Sequence, residues 1–365
     1  MKRYIFLVVA VALATVSCSK TYDTNKNAGE GMPISLRSWT NNLTRARAVG
    51  SSAFVDGDKI YVYGYTSGTQ TPFDGTEVAF DGTDWTYSPL RFWDRNNDYY
   101  HFYGISIDNG AALTDILQSH DVTNGTFTSK SLTWAGNNND ILVADSVKVM
   151  KSDYGKQVAL NFRHISALFD LKVRKGNGIG NDGVVKVTAV SLENIKKTGV
   201  FSVTGYNADT DTAIVSWSNL TTGSYTGANG VKNTVDTDII SGTTAVTTAG
   251  EQYLINNLVL IPQTFAADAQ RLKITYTITT GTGNTEQVNT FTDKTYDLIL
   301  FDDTDYPTDD DTNTDGNQYN DGTKVSGWAA GVHYIYTITI DAEAINFTAS
   351  MEPWATDNGY YYILN

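Results

Sequence analysis

The chain has 365 residues, with 26 Lys and Arg against 40 Asp and Glu, giving a net charge of -14. That acidity excludes a nucleic-acid binder, whose partner demands basic patches. With 41% apolar and 12% aromatic residues the chain can bury real cores, which excludes wholesale disorder, and its length suggests two domains. Its 31 Gly and only 6 Pro, among many Thr, Val and Tyr, point to an all-β fold.

Residues 1–17 read as an export signal. Lys2 and Arg3 open it, and "YIFLVVAVALATV" is an apolar run too short to span a membrane comfortably. The run ends at Ser17-Cys18-Ser19, small residues around the single Cys. This resembles a bacterial lipoprotein signal, in which Cys18 is diacylated and becomes the mature N-terminus. The alternative is an ordinary cleaved signal with an incidental Cys. No other Cys exists for Cys18 to pair with, which favours lipidation. Lipid contributes about 0.8 kcal/mol per buried CH2, so such a protein is anchored to a membrane rather than spanning it.

Residues 18–32 are small and polar and read as a flexible tether. "PISLRSW" (33–39) then alternates, with Ile34 and Leu36 facing one way and Ser35 and Arg37 the other, which predicts a strand. "NNLTRARAVG" (41–50) follows, placing Arg45 and Arg47 between small residues in an otherwise acidic chain. After it, "DKIYVYGYTSG" predicts a strand ending in a turn, and "FDGTDWTYSP" carries Asp-Gly and Thr-Asp turn signals.

Further strand runs recur at short spacing: "DYYHFYGISID", "NDILVADSVKV", "QVALNFRHISALFDLKV" and "VVKVTAVSLENI", then "AIVSWSNL", "QYLINNLVLIP" and "RLKITYTITT", and last "TYDLILF", "VHYIYTITI" and "AINFTASM". Only "NGAALTDILQSH" and "TFAADAQRL" predict helices, both short. The pattern is that of β-sandwiches rather than βαβ units. A boundary near residue 170 divides the chain into domains at 33–170 and 171–365, the second ending in a short tail.

Few segments carry chemistry. The glycines of "KGNGIGNDG" miss dinucleotide-loop spacing and precede a strand, so a hairpin loop is expected there. His101, His120, His164 and His333 are scattered, without ligand spacing, and are expected to be structural. There is no G-x-S-x-G elbow and no Cys/His nucleophile arrangement, so the chain is read as a non-enzyme. The acidic stretch 301–322 contains Asp311, Asn313 and Asp315 before Gly316, the start of an oxygen-ligand Ca2+ loop, but Gly322 stands where the closing Glu belongs. A solvated acidic loop that holds no metal is the favoured reading. Trp85, Tyr87, Phe92, Trp93, Tyr99, Tyr100, Phe102 and Tyr103 crowd one region, either as the filling of a small sandwich or as a platform for stacking sugars.

Several segments, taken in order, carry a resemblance: "DKIYVYGY", "DWTYSPLRFWDRNNDYYHFYGISI", "DILVA", "VALNFRHISALFDLKV", "LVLIPQ" and "GWAAGVHYIYTITID...INFTASMEPW". From about residue 33 to residue 354 the chain resembles the fimbrillin family of Bacteroidetes, the FimA/Mfa-like lipoprotein pilins of type V fimbriae. The resemblance implies two transthyretin-like β-sandwich domains in tandem. It implies export as a lipoprotein to the outer membrane and cell surface. It also implies that an Arg-specific protease cuts after Arg45 or Arg47, removing the lipidated segment with "PISLRSW". A neighbouring subunit's strand would fill the groove left behind. The donor would be residues 356–365, where Tyr360, Tyr362 and Leu364 share one face if extended. The implied partners are other fimbrial subunits and host or bacterial surface ligands. The competing function is a surface glycan-binding lipoprotein with an aromatic platform, and a third is an uncharacterised hydrolase.

Overall fold

A computed structural model describes residues 31–40, 54–107, 112–134, 140–180, 183–225, 252–266, 269–299, 325–341 and 345–353. The first stretch of chain gives β1 (Leu36–Thr40), β2 (Lys59–Thr66), β3 (Phe73–Phe80), β4 (Trp85–Thr86) and β5 (Tyr99–Ile107). A single helical turn, α1 (Leu113–Ile116), leads into β6 (Leu117–Asp121), β7 (Thr126–Ser129) and β8 (Leu132–Thr133). Next come β9 (Ile141–Ala144), β10 (Val147–Met150), β11 (Val158–His164), β12 (Ala167–Lys175) and β13 (Val184–Tyr206). The rest comprises β14 (Ala213–Tyr225), β15 (Gln252–Leu260), β16 (Gln263–Thr264), β17 (Arg271–Thr280), β18 (Gln287–Asp297), β19 (Gly327–Trp328), β20 (Val332–Ile340) and β21 (Ile345–Pro353). The predicted all-β class holds.

The strands form three main sheets. The first runs β1-β11-β9-β5-β2-β3-β4, with β10 also on β5. The second is β15-β12-β20-β21, and the third is β18-β17-β13-β7-β6, with β14 and β8 also on β13. The first sheet curls around a core of its own, which includes Ile34, Leu36, Val62, Trp93, Phe102, Leu160 and Phe162. Its opposite face is covered as well: Tyr63, Tyr103, Ile105 and Val143 pack with Phe127, Phe201, Val203 and Val259. Strands β2, β5 and β9 are therefore buried on both sides, which explains why their sequences run apolar or aromatic almost without a break. The third core lies between the second and third sheets, where Phe169, Leu171, Val185, Val187, Leu272, Ile274, Tyr334 and Tyr336 meet.

Two expectations are corrected. The helix predicted over "NGAALTDILQSH" shrinks to α1, because Ala112 supplies no side-chain cap and Leu117 is drawn into pairing with Ser129. "TFAADAQRL" makes no helix among its described residues. Thr264 ends β16, Arg271 starts β17, and the Gln270 side chain accepts the Ala266 N–H at 2.9 Å across the turn.

The glycine-rich segment also differs from the expected hairpin loop, because it carries the chain from the second sheet to the third. The Lys175 Nζ donates to the carbonyls of Gly180 (2.9 Å) and Gly183 (2.8 Å). Gly176 and Gly178 lie so close to the Asp341 carboxylate that a Cβ on either would fall within 2.5 Å of it. This corner is built by close approach to a side chain.

Candidate functional site: the seat of the first strand

Residues 32–40 form one extended segment gripped on two sides. Its second half, β1, runs parallel to β11, with Leu36 opposite Val158 and Thr40 opposite Phe162. Its first half lies antiparallel to residues 91–93. The Ile34 N–H donates to Arg91 O at 2.8 Å, the Trp93 N–H donates to Met32 O at 3.1 Å, and Pro33 bridges Phe92. The Tyr87 hydroxyl donates to Ile34 O at 2.6 Å, and the Gln157 side-chain amide donates to Leu36 O at 3.1 Å.

The predicted alternation is present in the structure. Ile34 and Leu36 are each 1% exposed in the core, while Ser35 and Arg37 face outward. An edge strand usually contributes one weakly buried face. Here the segment supplies two fully buried side chains, Ile34 ahead of β1 and Leu36 within it, and completes the wall of a core. Main-chain hydrogen bonds, the side-chain hydrogen bonds from Tyr87 and Gln157, and apolar contact all hold the segment in place.

On the far side of β11 from β1, Asp145 stands at the corner between β9 and β10. Its N–H donates to Asn161 O at 2.8 Å. Its carboxylate accepts the Arg163 Nε at 2.9 Å, the Asn161 side-chain amide and the Ala213 N–H. The next residue, Ser146, donates its N–H to Asp211 O at 2.9 Å. Burial pushes the Asp145 carboxyl above the ordinary range, and the Arg163 guanidinium only partly offsets it. Asp145 thus joins β11 to the turn at residues 207–212, the tip of the hairpin formed by β13 and β14.

The four histidines sit in polar contacts within the fold. His101 meets the Tyr65 hydroxyl at 3.0 Å, His120 meets Asp74 at 2.7 Å, His164 meets Asp140 at 2.9 Å and His333 meets Asp170 at 3.0 Å. Burial lowers the pKa of His101, with Asp211 opposing and Lys148 reinforcing the shift. No group of three or more His, Cys, Asp or Glu placed to hold a metal occurs among the described residues. Of the crowded aromatics, Trp93, Tyr100, Phe102 and Tyr103 are buried, whereas Phe92 is 51% exposed. Trp93 stacks on Tyr154 with centroids 4.6 Å apart, and Tyr100 on Phe102 at 6.0 Å. Trp93, Tyr100, Phe102 and Tyr103 thus fill the interior, while Trp85, Tyr87 and Tyr99 are half-buried.

Cys18, Arg45, Arg47, Asp311, Asn313, Asp315, Tyr360, Tyr362 and Leu364 lie outside the described residues. The structure does place "PISLRSW", the strand that precedes the two arginines. Sequence reasoning missed the second grip, residues 91–93 with Tyr87, and the Asp145 junction. The only available signal for the grip was the aromatic density between residues 85 and 93.

A family model described as fimbrillin-like matches residues 44–354. The chain belongs to the fimbrillin-like family. Among solved structures, a fimbrial protein of Bacteroides vulgatus is 16% identical and aligns over 88% of this chain and 99% of its own, with a TM-score of 0.58. A candidate cell adhesion protein of Bacteroides uniformis is 14% identical over 89% of this chain and 98% of its own, with a TM-score of 0.49. At these identities the Bacteroides vulgatus match speaks for the fold of the fimbrillin-like chain. No curated protein sequence matches it.

Proposed function

We propose that this fimbrillin-like chain is a non-enzymatic building subunit of a cell-surface fimbria. It is exported as a lipoprotein through Cys18 and assembled by strand exchange after a cut at Arg45 or Arg47. The observation that carries the reading is the edge segment of residues 32–40, which ends in β1, buries Ile34 and Leu36 and precedes the two arginines. Withdrawing it bares the apolar seats of Ile34 and Leu36 and the backbone groups of Val158–Phe162. Unpaired edges beside open apolar seats favour strand addition from another chain. Each main-chain hydrogen bond regained contributes roughly 0.5–1.5 kcal/mol, and apolar burial about 25 cal/mol per Å². Ordering a loose tail offsets part of this gain. The tail at residues 356–365, with Tyr360, Tyr362 and Leu364 on one face if extended, is the proposed donor.

Limited digestion with trypsin tests the cut. N-terminal sequencing is expected to read from residue 46 or 48, and the cut chain is expected to form higher oligomers on size-exclusion chromatography. Arg45→Ala with Arg47→Ala should stay intact and monomeric. Deletion of residues 356–365 should permit cutting but stop chain growth. Polymer from the tail-less chain would rule out the donor assignment, and an uncut "TRARA" in the folded protein would rule out the processing site. The anchor is tested separately. Cys18→Ala is expected to move the protein from the membrane to the soluble fraction and to abolish labelling by a fatty-acid probe, and retained labelling would refute lipidation.

A further inference from the structure

We infer that Asp145 is a positioning residue for the groove: it fixes the first half of β11 independently of β1 by tying it to the tip of the β13–β14 hairpin. This rests on the reading that β1 leaves its seat. Strand β11 has unequal support along its length. β9 pairs with it only at Phe162, Arg163 and His164. Residues Val158–Asn161 have β1 as their only ladder partner among the described residues. Once β1 is withdrawn, this half of the groove wall keeps no ladder of its own.

Asp145 supplies polar support that does not depend on β1. Its N–H holds Asn161 O, and its carboxylate holds the Asn161 amide and the Arg163 Nε. The Ala213 N–H reaches the same carboxylate from the hairpin, and Asp211 O takes the neighbouring Ser146 N–H. The hairpin is anchored elsewhere: β13 pairs with β7 at Ser202 and Val203, and Phe201 and Val203 lie in the shared core. The corner therefore has a foundation that does not depend on β1. Beyond the packing of Val158 and Leu160 in the core, stretch Val158–Asn161 thus has two hydrogen-bonded supports, β1 at its edge and Asp145 at its end. A wall that keeps its shape after β1 departs binds an incoming strand with less ordering cost.

Two supports for one element predict more-than-additive loss when both are weakened. The test is a double-mutant cycle in the full chain, Leu36→Ala against Asp145→Ala, read by amide hydrogen exchange. Each single variant is expected to speed exchange at Ala159–Asn161 by about tenfold or less, and the double variant by at least about tenfold more than the product of the two. Amides of Ile60–Val62 in β2 serve as the internal reference and should change little. Asp145→Asn keeps an acceptor and should restore most of the protection, which a general loss of stability would not produce. Should Asp145→Ala fail to fold, Ala213→Pro takes its place in the cycle, because it deletes the N–H that reaches the carboxylate. Multiplicative effects, or an equal rise at β2 and β11, would overturn the inference. The cycle needs no cleavage, so a failed trypsin experiment would overturn the assembly reading and leave this coupling measured in its own right.

Discussion

Replacing Asp140 with Ala is expected to cost the fold about 3 kcal/mol, within the range for breaking a buried hydrogen-bonded pair. Asp140 and His164 are about 1% and 0% exposed at their side chains, and they meet at 2.9 Å. They lie where the chain leaves the first sheet for the second. The Ile165 N–H bonds Ile141 O there, and the Gly331 N–H bonds Ser166 O. Loss of the carboxylate removes the acceptor at His164 Nδ1 in a place water does not reach. Asp140→Asn keeps the volume and one acceptor, so it should recover about half of the loss or more. Urea unfolding of the three proteins decides the matter. A loss below about 1 kcal/mol in Asp140→Ala would mean that His164 is held well enough without this partner.

A second large effect is expected at Leu36→Asp, and its form matters more than its size. A carboxylate in place of a buried Leu costs several kcal/mol if it stays buried. At an edge the strand has another option, because it can leave. The penalty is then capped by what β1 itself contributes, and the damage stays local. Amides of Leu36–Thr40 should exchange like those of an unfolded chain while β2 and β5 remain protected. The same change at Val62, in a strand paired on both sides and buried on both faces, has no such outlet and should unfold the protein. Global unfolding of Leu36→Asp would show that β1 is an integral member of the sheet and would remove the basis for strand exchange.

How much of this was legible in the sequence differs by element. The alternation at Ile34, Ser35, Leu36 and Arg37 named the buried side of β1 correctly, because a period of two fixes which side chains share a face. It could not name the neighbour: the parallel partner β11 lies far along the chain, and the backbone bonds that join them carry no residue signature. The unbroken apolar runs of β2 and β5 announced burial without saying by what, since either a second sheet or a second domain would produce them. The helix predicted over residues 109–120 exceeds α1 because local propensity carries no trace of the pull of Leu117 into a strand. Asp145 was invisible. "VADSV" reads as an ordinary strand end, and its importance arises only when Asn161, Arg163 and Ala213 converge on one carboxylate. The histidines were read as structural from their spacing, but their partners Asp140 and Asp170 had nothing to distinguish them from other acidic residues.

The length of β13 has a mechanical consequence. At roughly 3.3 Å per residue, its run from Val184 to Tyr206 has a contour of about 70 Å. Val185, Val187 and Leu192 are sunk in one core, and Phe201 and Val203 in another. A single covalent beam therefore passes through two packed regions, with β17 laced along one stretch and β14 along the next. To flex midway it would have to shear ladder bonds on its margins and shift side chains in both interiors together. In an assembly of such units, load entering one packed region would reach the other along this strand without a linker between them, one irregular point on it being Asn194, where the backbone turns left-handed and the register with β14 shifts.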